Sequence, residues 1–565
     1  MDALKEYSRW LENCEGEMLE ELKALQGNDA EIKKRFGSNA SFGTAGIRSI
    51  MGVGTAYLND LTVRRTARGL ADYLLSSGGS KTCAIGYDCR NNSQRFAKVC
   101  AQALAEKGVT VYLYDRLCPT PMLSFAVRYL KTGVGMVISA SHNTKEYNGL
   151  KCYGPDGGQM TEIPAAAVSK AIDALDLFES VHESYESLME KGLIRYIPQS
   201  VWNAYYDRIW QEAIDPDSVK KAGLKVVYSP LCGAGGEPVA EILTRLGAQF
   251  EVPASQEKPS GEFETCPNPN PENDGAFAES YALAKKTNPD IVIATDPDSD
   301  RIAVAIPDGD GFRKFSGNEM GCLLLDYILS AMERMGKLPK DPVAVKSIVS
   351  TPLADRVASA YGVSVRTVLT GFKYIGGVIL ELEEAGHPED FVLGFEESCG
   401  YLKGDYARDK DAVVAAMLIA EMAATCKLQG KTLGDVMDAL YAKYGYYVAG
   451  IQNVNFTSDE QKAACMALLD QFRAQPPKEM GGFAVSSVAD FKAGVITDAV
   501  TGQTTPTGLP SENMVMLTLG EKGRVILRPS GTEPKIKFYY TAVASSMEEA
   551  NAMIGQMNDA MMAKM

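Results

Sequence analysis

Three stretches of the chain share one pattern of apolar and polar positions. Each begins with a short apolar run, which predicts a buried strand, and continues through a loop and a helix to a glycine and a second strand. A glycine at this point is typical of a helix C-terminal cap. The repeat therefore predicts three related α/β domains with mixed sheets. The three units begin at Thr82, Leu224 and Val343 and reach their cap glycines at Gly108, Gly247 and Gly362.

The last part of the chain, from about residue 446, has a different pattern. Strands and helices no longer follow one another in the repeated order, and this favours an α+β domain with an antiparallel sheet. The predicted elements are a strand near 448–456, a helix over 458–473, strands near 523–527 and 536–541, and a closing helix.

The length of 565 residues exceeds what one hydrophobic core supports, and roughly three to five domains are expected. Combined with the repeat and the distinct tail, this predicts an α/β protein of four domains. An active site is expected in the central cleft between them. The predicted domains are residues 1–205, 206–320, 321–445 and 446–565.

The composition is that of a globular protein outside the membrane. Hydrophobic residues make up 45% and charged residues 23%, and no run of about 18 apolar residues occurs. The formal net charge of −15 argues against extended nucleic-acid binding, which needs a basic face. Residues 1–30 are acidic and helix-patterned and lack the apolar core of a signal peptide, so a cytoplasmic location is expected.

Zinc, disulfide and nucleotide sites are not predicted. The 12 cysteines are scattered without a C-x-x-C pair, and the chain has only 3 histidines, so neither a zinc site nor a disulfide framework is expected. The segment 430–432 lacks the preceding glycine of a P-loop, and the segment 233–235 lacks the third glycine of a dinucleotide-binding fingerprint. No nucleotide cofactor is implied.

One candidate nucleophile is Ser141, which lies between an apolar run at 134–138 and a turn-forming segment at 148–151. A serine hydroxyl held at the end of a strand is a candidate for covalent phosphate transfer. Serine and asparagine in loops more often make local backbone hydrogen bonds. The pattern alone leaves both interpretations open.

A cluster of carboxylates follows another apolar run. Asp296, Asp298 and Asp300 alternate along the chain, and their mutual repulsion calls for a cation or for solvent. Hard oxygen ligands at this spacing suit Mg²⁺. A calcium loop does not fit, because its sixth position, a Gly, is Arg301 here and its twelfth, a Glu, is Pro307. An acidic solvated turn is the remaining alternative.

Four motifs follow one another along the chain. They read S-A-S-H-N-T at 139–144, D-P-D-S-D-R at 296–301, G-F-E-E-S-C-G-Y at 394–401 and R-P-S-G-T-E at 528–533. Supporting runs lie at 42–48, 370–374 and 408–411. Over essentially its whole length the chain resembles the α-D-phosphohexomutase superfamily, in the branch that contains phosphoglucomutases and phosphopentomutases. Members of that family carry a serine loop, a metal loop, a sugar loop and a phosphate loop in this order.

Three positions depart from the family's pattern. Thr144 replaces the usual Pro of the serine loop, and Pro297 replaces a Gly of the metal loop. Neither change removes a functional side chain. Cys232 stands where the family's Pro-Leu-His-Gly run has its His, so the role of that His is not carried over to this chain.

The resemblance implies a phosphoryl relay. Ser141 would carry phosphate, donate it to a sugar monophosphate and regain a different phosphate from the resulting glucose 1,6-bisphosphate. Asp296, Asp298, Asp300 and a phosphoserine oxygen on Ser141 would hold Mg²⁺, which neutralises charge on the transferred group.

The resemblance also implies roles for the residues around the phosphate and the sugar. Three cations would clamp the transferring phosphate: Arg48, Lys151 and Arg301. Two groups are candidates for proton transfer: Lys410 and His142. Four residues would line the sugar: Thr370, Gly371, Glu396 and Ser398. Five residues would bind the remote phosphate: Arg528, Ser530, Gly531, Thr532 and Lys537.

The leading expectation is interconversion of glucose 1-phosphate and glucose 6-phosphate by a monomer or dimer. A rival keeps the chemistry but acts on ribose, deoxyribose or mannose phosphates, because the Glu-Glu-Ser run does not define the sugar. Another alternative is a sugar-bisphosphate synthase, in which an external donor such as 1,3-bisphosphoglycerate reloads Ser141. A scaffold without catalysis is disfavoured, because Ser141, the three metal-loop Asp residues and Arg528 are all present.

Overall fold

The computed structural model describes residues 1–43, 46–456, 458–530 and 535–565. Three helices precede the first sheet: α1 (Ala3–Asn13), α2 (Gly16–Ala24) and α3 (Asp29–Phe36). They pack around Trp10 and Phe36, which are fully buried and whose rings meet edge to face at 5.5 Å. This N-terminal segment therefore packs in a small hydrophobic cluster that also contains Val53 and Leu177 of the first unit.

The first α/β unit is built on a six-stranded sheet with the order β1-β5-β4-β2-β3-β6. Its strands are β1 (Gly46–Ile50), β2 (Thr82–Tyr87), β3 (Thr110–Leu113), β4 (Val134–Ile138), β5 (Tyr147–Tyr153) and β6 (Ile194–Tyr196). Its helices are α4 (Asp60–Ser76), α5 (Ser93–Glu106), α6 (Thr120–Leu130), α7 (Glu162–Asp173) and α8 (Tyr185–Glu190).

Helix α9 (Gln199–Gln211) leads to the second unit, a five-stranded sheet with the order β11-β10-β9-β7-β8. Its strands are β7 (Lys225–Ser229), β8 (Gln249–Glu251), β9 (Ile291–Thr295), β10 (Ile302–Asp308) and β11 (Gly311–Phe315). Its helices are α10 (Pro216–Ala222), α11 (Gly236–Leu246) and α12 (Ala278–Thr287), the last preceded by a 3₁₀ turn at Asp274–Phe277.

The third unit has a four-stranded sheet with the order β13-β12-β14-β15. Its strands are β12 (Val343–Ser347), β13 (Ser364–Val368), β14 (Phe391–Glu396) and β15 (Gly400–Leu402). Its helices are α13 (Gly317–Arg334), α14 (Leu353–Ser359), α15 (Phe372–Glu384), α16 (Ala412–Leu428) and α17 (Leu433–Tyr444), with a 3₁₀ turn at Pro388–Asp390.

The three sheets share one arrangement of four strands. The four strands are β2 to β5 in the first unit, β7 to β10 in the second and β12 to β15 in the third. In each set the first strand pairs in parallel with the second and with the third, and the fourth pairs antiparallel with the third. The predicted cap glycines Gly108, Gly247 and Gly362 have positive φ angles of 89°, 72° and 69°, which cost glycine little. The predicted repeat of strand, helix, cap glycine and strand is confirmed.

The fourth domain has a seven-stranded antiparallel sheet with the order β16-β24-β23-β22-β19-β20-β21, and β17 and β18 form a separate hairpin. Its strands are β16 (Tyr446–Asn455), β17 (Glu479–Met480), β18 (Phe483–Ala484), β19 (Ser487–Asp490), β20 (Val495–Asp498), β21 (Thr504–Pro506), β22 (Val515–Thr518), β23 (Gly523–Pro529) and β24 (Lys535–Ala544). Its helices are α18 (Asp459–Ala474) and α19 (Met547–Met562), with a 3₁₀ turn at Gly520–Lys522. The predicted α+β character is confirmed, and β17 to β22 were not predicted.

One hydrophobic cluster runs continuously through the three α/β units, with α16 inside it. A second cluster joins the third unit to the fourth domain, where Ile348 and Leu369 pack with Phe491, Ile526 and Tyr539. These contacts hold the three α/β units and the fourth domain against one another. Within the described residues, no single helix is long and apolar enough to cross a membrane, and the pair α16 and α17 meets the length and composition criteria only across an 87° bend.

Candidate active site

The three related sheets carry the predicted motifs in equivalent turns. Each turn joins the third and fourth strands of the four-strand arrangement that the sheets share. The serine loop lies between β4 and β5, the metal loop between β9 and β10, and the sugar loop between β14 and β15. Each turn holds a non-glycine residue in the left-handed region: Ser141 at φ 52°, Ser299 at 53° and Cys399 at 63°. Backbone strain of this kind clusters at functional sites. Equivalent positions of the structural repeat therefore supply the candidate site.

Ser141 faces the carboxylates of the second unit. The residue is 3% exposed, and its Oγ donates a hydrogen bond to Asp296 Oδ2 at 2.8 Å. The Nδ1 atom of His142 lies 3.1 Å from the same Oγ. The backbone N–H of Ser141 donates to Ser139 Oγ at 2.8 Å, which braces the turn. The predicted nucleophile and the predicted metal loop are thus in direct contact.

Asp296, Asp298 and Asp300 form a compact buried group. One carboxylate oxygen from each lies within 4.8 Å of the others. Asp296 Oδ1 accepts hydrogen bonds from the backbone N–H groups of Asp300 and Arg301 at 3.1 and 3.0 Å. Asp298 Oδ1 and Asp300 Oδ1 are buried and have no hydrogen-bond partner among the described residues. Unpartnered carboxylate oxygens are the ligands that a hard divalent cation takes.

Two lysines reach this group from the first and third units. Lys151 Nζ lies 2.5 Å from Asp298 Oδ2 and 3.1 Å from Asp300 Oδ2. Lys410 Nζ lies 3.3 Å from Asp300 Oδ2. Three units of the fold therefore meet at the carboxylates, and the two ammonium groups compensate charge that would otherwise stand unpaired.

The surroundings shift the pKa values of the carboxylates in opposite directions. Burial, followed by the charges of Asp298 and Asp300, raises the pKa of Asp296 well above its ordinary value. Burial opposes ionisation of Asp300 too, but Lys151 and Lys410 hold its pKa below the usual range. Burial likewise opposes the charge of Lys410, yet Asp300 and the neighbouring carboxylates raise the pKa of this lysine. A bound cation would favour the ionised form of all three carboxylates.

Two predicted arginines and a predicted histidine belong to the serine loop, the metal loop and the strand next to them. Arg301 Nη1 donates to Glu272 Oε1 at 2.8 Å, and within the described part of the chain its buried Nε has no hydrogen-bond partner. Arg48, in β1, donates to Asn143 Oδ1 at 2.9 Å. Burial and the charges of Arg301 and Arg48 place the pKa of His142 well below its ordinary value. The imidazole of His142 therefore contacts the serine hydroxyl, and the two guanidinium groups are held by residues of the serine loop and of the second unit.

The sugar loop meets the loop that precedes α15. Glu396 Oε1 accepts a hydrogen bond from the Gly371 N–H at 2.7 Å. Gly371 has a φ of 121°, a backbone conformation that favours glycine. Thr370 Oγ1 is buried without a hydrogen-bond partner in the described ranges, and Ser398 is half-buried in the same turn as Glu396. The two loops predicted to bind the sugar are therefore in contact.

Glu397, which the sequence did not single out, points to a different neighbour. Its Oε2 accepts hydrogen bonds from Ser347 Oγ at 2.9 Å and Ser350 Oγ at 3.4 Å. Burial and the adjacent Glu396 carboxylate raise its pKa to about 7. Arg524 of the fourth domain donates to the Ser350 carbonyl at 2.6 Å. Glu397 thus connects the sugar loop to Ser350, which in turn contacts the fourth domain through Arg524.

The predicted phosphate loop begins at the end of β23. Arg528 lies opposite Lys537 in the antiparallel register of β23 and β24. Its Nε donates to Glu512 Oε1 at 2.6 Å. The backbone N–H of Ser530 donates to the Lys535 carbonyl at 2.9 Å. The guanidinium that would bind phosphate is therefore engaged by a carboxylate. Two further predicted residues lie outside the described residues: Gly531 and Thr532.

Two buried residues that were not predicted support the site. Thr120, at the start of α6, donates to Asp298 Oδ2 at 2.7 Å. Asp409 accepts from Tyr153 OH at 2.8 Å and from Lys410 Nζ at 3.0 Å. The supporting run at 408–411 contained a signal for Asp409, whereas no motif surrounds Thr120.

Four family models match the chain in the order of its domains. They are described as phosphoglucomutase/phosphomannomutase α/β/α domain I, α/β/α domain II, α/β/α domain III and C-terminal domain. The matched residues are 39–178, 203–309, 316–444 and 512–557. These matches cover most of the chain and include strands of the three α/β sheets and of the seven-stranded sheet.

Two whole proteins agree with this assignment, and a solved structure shares the fold. The phosphoglucomutase of Staphylococcus epidermidis is 36% identical over 545 residues, which are 95% of this chain and 97% of that protein. That of Staphylococcus aureus is 35% identical over 555 residues, 96% and 98% of the two chains. A solved structure from Thermus thermophilus has a TM-score of 0.69 at 24% identity and covers 92% of this chain and 99% of its own. The chain therefore belongs to the phosphoglucomutase/phosphomannomutase family of intramolecular phosphotransferases, within the α-D-phosphohexomutase superfamily.

Proposed function

We propose that the protein is a phosphoglucomutase that interconverts glucose 1-phosphate and glucose 6-phosphate. In this proposal Ser141 carries a phosphate, and glucose 1,6-bisphosphate is the intermediate. The observation that carries it is the 2.8 Å hydrogen bond from Ser141 Oγ to Asp296 Oδ2, which joins a candidate nucleophile to the carboxylate group. The choice of glucose rests on the staphylococcal phosphoglucomutases at 36% and 35% identity.

The carboxylate group fits a divalent cation with oxygen ligands. Asp298 Oδ1 and Asp300 Oδ1 are buried without a hydrogen-bond partner in the part of the chain that the structure describes, and the chemistry of the donor set suits Mg²⁺. Asp296, Asp298, Asp300 and a phosphate oxygen on Ser141 would be its ligands. When bound, Mg²⁺ supplies positive charge that stabilises the transferring phosphoryl group.

Three cations of the chain would hold the transferring phosphate: Arg48, Lys151 and Arg301. Within the described residues Arg301 Nε is buried without a hydrogen bond and lies 3.8 Å from Asp300 Oδ1, so a phosphate oxygen could accept from it, and charge-assisted hydrogen bonds to phosphate are strong. Lys151 already contacts Asp298 and Asp300, so its ammonium lies at the edge of the carboxylate group. Together these residues would orient the phosphate towards Ser141 and balance its charge.

Two residues would exchange protons with the reacting oxygens. The pKa of His142 lies well below its ordinary value, and its Nδ1 lies 3.1 Å from Ser141 Oγ, so it would take the serine proton when Ser141 Oγ attacks a phosphate of the bisphosphate. Lys410, whose pKa is raised beside Asp300, would give a proton to the sugar oxygen that leaves in the same step, and both transfers would run in reverse when Ser141 donates its phosphate. Geometry within hydrogen-bond reach is the first requirement for such roles.

The sugar and its remote phosphate would bind between the third unit and the fourth domain. The sugar-lining residues in this proposal are Thr370, Gly371, Glu396 and Ser398. The remote-phosphate residues are Arg528, Ser530, Gly531, Thr532 and Lys537. Because Arg528 is paired with Glu512, a bound phosphate would have to take the place of that carboxylate.

The experiment that tests the function measures initial rates on matched hexose and pentose 1-phosphates with a trace of the corresponding bisphosphate. We expect the highest kcat/KM with glucose 1-phosphate. A preference for ribose, deoxyribose or mannose 1-phosphate would overturn the choice of sugar and leave the chemistry standing. Net formation of bisphosphate from 1,3-bisphosphoglycerate, with little mutase turnover, would identify a sugar-bisphosphate synthase instead.

Arg528→Ala is expected to lower kcat/KM for every phosphosugar by a similar factor, because the residue would bind the phosphate common to all of them. Loss of one partner from a charge-assisted bidentate contact costs about 2 to 4 kcal/mol of binding free energy, which corresponds to a decrease in kcat/KM of about 30-fold to 1,000-fold. Glu396→Gln is expected to change the ratio of glucose to pentose activity, since the carboxylate would bind hydroxyls that differ between sugars. Steady-state kinetics on two sugars separates the two effects.

Glu512→Gln is the matched control for Arg528, because it weakens the ion pair and keeps the arginine. We expect it to lower KM for glucose 1-phosphate, as less of the Arg528 guanidinium is held by the carboxylate. A sugar-selective Arg528→Ala combined with a uniform Glu396→Gln would mean that the two loops have the opposite roles.

A further inference from the structure

Arg90 lies in the loop between β2 and α5, and its side chain is fully buried beneath the serine loop. Its guanidinium donates to backbone carbonyls of one short segment. Nη2 donates to the Ser141 carbonyl at 2.6 Å and also to that of Asn143, and Nη1 donates to the carbonyls of Thr144 at 2.9 Å and Tyr147 at 3.1 Å. One side chain thus fixes the path of the whole turn that carries the nucleophile.

The guanidinium is itself held on two sides. Asp88 Oδ2 lies 3.4 Å from Arg90 Nε, and Asp88 Oδ1 accepts from the Arg90 N–H at 2.9 Å and from Ser93 Oγ at 2.6 Å. The ring of Phe263, from the second unit, lies 5.1 Å from the guanidinium carbon. Stacking and a buried carboxylate together fix the plane from which the hydrogen bonds point.

The second unit also holds the serine loop from outside. Glu262, next to Phe263, accepts from Lys145 Nζ at 2.8 Å and from Asn91 Nδ2 at 2.7 Å. Lys145 belongs to the serine loop, and Asn91 follows Arg90. The segment that ends at Phe263 therefore bridges the two loops of the first unit that meet at Ser141.

The conformation of Ser141 explains why such a clamp is needed. Its φ of 52° lies in the left-handed region, which a serine leaves unless its surroundings over-determine it. The hydrogen bond from its own N–H to Ser139 Oγ fixes one peptide group. The carbonyl that follows is fixed by Arg90. Without that contact the hydroxyl would lose its position beside Asp296.

We propose that Arg90 is a positioning residue for phosphate transfer. It holds the backbone of the serine loop so that Ser141 Oγ stays within hydrogen-bond distance of the metal-loop carboxylates. The proposal rests on the proposed function, in which Ser141 carries the phosphate. Among the described residues, the Arg90 guanidinium contacts backbone carbonyls, Asp88 and Phe263, so its effect would be exerted through the serine loop. The phosphoryl group moves between Ser141 Oγ and the sugar oxygen as before.

The test compares Arg90→Lys with wild type in a single turnover. Ser141 is first labelled with radioactive glucose 1,6-bisphosphate, and the labelled enzyme is mixed with excess glucose 1-phosphate. Lysine keeps the positive charge but lacks the planar set of donors. A shift of the reacting atom of about 1 Å costs on the order of 10²-fold in rate. We therefore expect transfer from labelled Arg90→Lys to slow by about that factor, with KM for glucose 1-phosphate within about twofold of wild type.

Two further variants separate positioning from stability. Phe263→Leu removes the stacked ring and keeps all the hydrogen-bond donors, so we expect a smaller slowing of about threefold to tenfold and faster amide exchange confined to residues 139–147. Arg95→Met is the matched control, because Arg95 lies in α5, directly after the loop of Arg90, and makes only an exposed ion pair with Asp60. Its transfer rate is expected to equal that of wild type.

The outcomes are distinguishable. A purely structural role for Arg90 would reduce the fraction of enzyme that takes label and leave the transfer rate of the labelled molecules unchanged, which overturns the proposal. Wild-type rates in both Arg90→Lys and Phe263→Leu overturn it as well. A wild-type enzyme that takes no label on Ser141 overturns the proposed function itself. If Arg90→Lys does not fold, the rate and exchange data for Phe263→Leu decide the question.

Discussion

Ser141→Ala is expected to lower mutase turnover by about four orders of magnitude or more while the protein remains folded. The hydroxyl is the proposed covalent carrier of phosphate, and removal of a nucleophile that acts as part of a unit has effects of this size or larger. The side chain makes only two hydrogen-bonding contacts among the described residues, with Asp296 and His142. Activity assays and thermal melting of the same preparation measure both parts of the expectation.

Ser139→Ala is the matched control for this variant. It removes the hydroxyl that accepts the Ser141 N–H but keeps the nucleophile, so we expect a loss of only about tenfold. Mass spectrometry after incubation with glucose 1,6-bisphosphate should find phosphate on Ser141 in wild type and in Ser139→Ala. Phosphate on another residue, or an active Ser141→Ala enzyme, would refute the assignment.

The α/β units were predictable because their signals are local. Apolar runs that end at a loop define the buried parallel strands, and Gly108, Gly247 and Gly362 mark the helix ends through their positive φ angles. Equivalence of the three units also places the serine, metal and sugar loops in corresponding turns. A motif in one turn therefore indicates where the others lie.

Strands β17 to β22 escaped prediction for a physical reason. They are two to four residues long, which is too short for an alternating pattern to stand out from a loop. They are held by pairing with neighbours across the sheet rather than by their own sequence. Strand β21, for example, is exposed throughout and pairs only through Val495 to Thr497 of β20.

The site residues were predictable where a motif holds several of them, and less so where contacts join distant parts of the chain. Asp296, Asp298 and Asp300 lie within five consecutive residues, so the sequence alone shows that they are close together. The approach of Lys151 and Lys410 to the same carboxylates comes from the packing of three units. No local pattern shows such an ion pair. Its discovery required the fold.

Departures from the family pattern are explained in part by the structure. Cys232 is 1% exposed, and its Sγ lies 3.9 Å from the Ser255 carbonyl. Burial raises the pKa of this thiol to about 11, so it remains protonated and unreactive at neutral pH. Thr144 supplies its carbonyl, and not its side chain, to Arg90. A backbone contact of this kind is open to many residue types.

Asp298→Asn is expected to weaken Mg²⁺ binding and lower kcat together. The amide keeps the shape of the carboxylate but removes a charge, and Asp298 Oδ1 is one of the buried oxygens with no partner in the described residues. A metal supplies several kcal/mol of transition-state stabilisation, and loss of a large part of it corresponds to about 10²-fold to 10³-fold in rate. Turnover measured against Mg²⁺ concentration gives the affinity and the limiting rate separately.

Asp308→Asn is the matched control, because Asp308 is exposed at the end of β10 in the same unit as Asp298. It should leave both the Mg²⁺ dependence and kcat unchanged. Removal of metal with a chelator should abolish wild-type turnover, and added Mg²⁺ should restore it. Full activity in excess chelator would refute the metal site. A loss of kcat in Asp298→Asn with an unchanged Mg²⁺ dependence would instead assign Asp298 to holding Lys151 and Thr120, the two residues that contact its other oxygen.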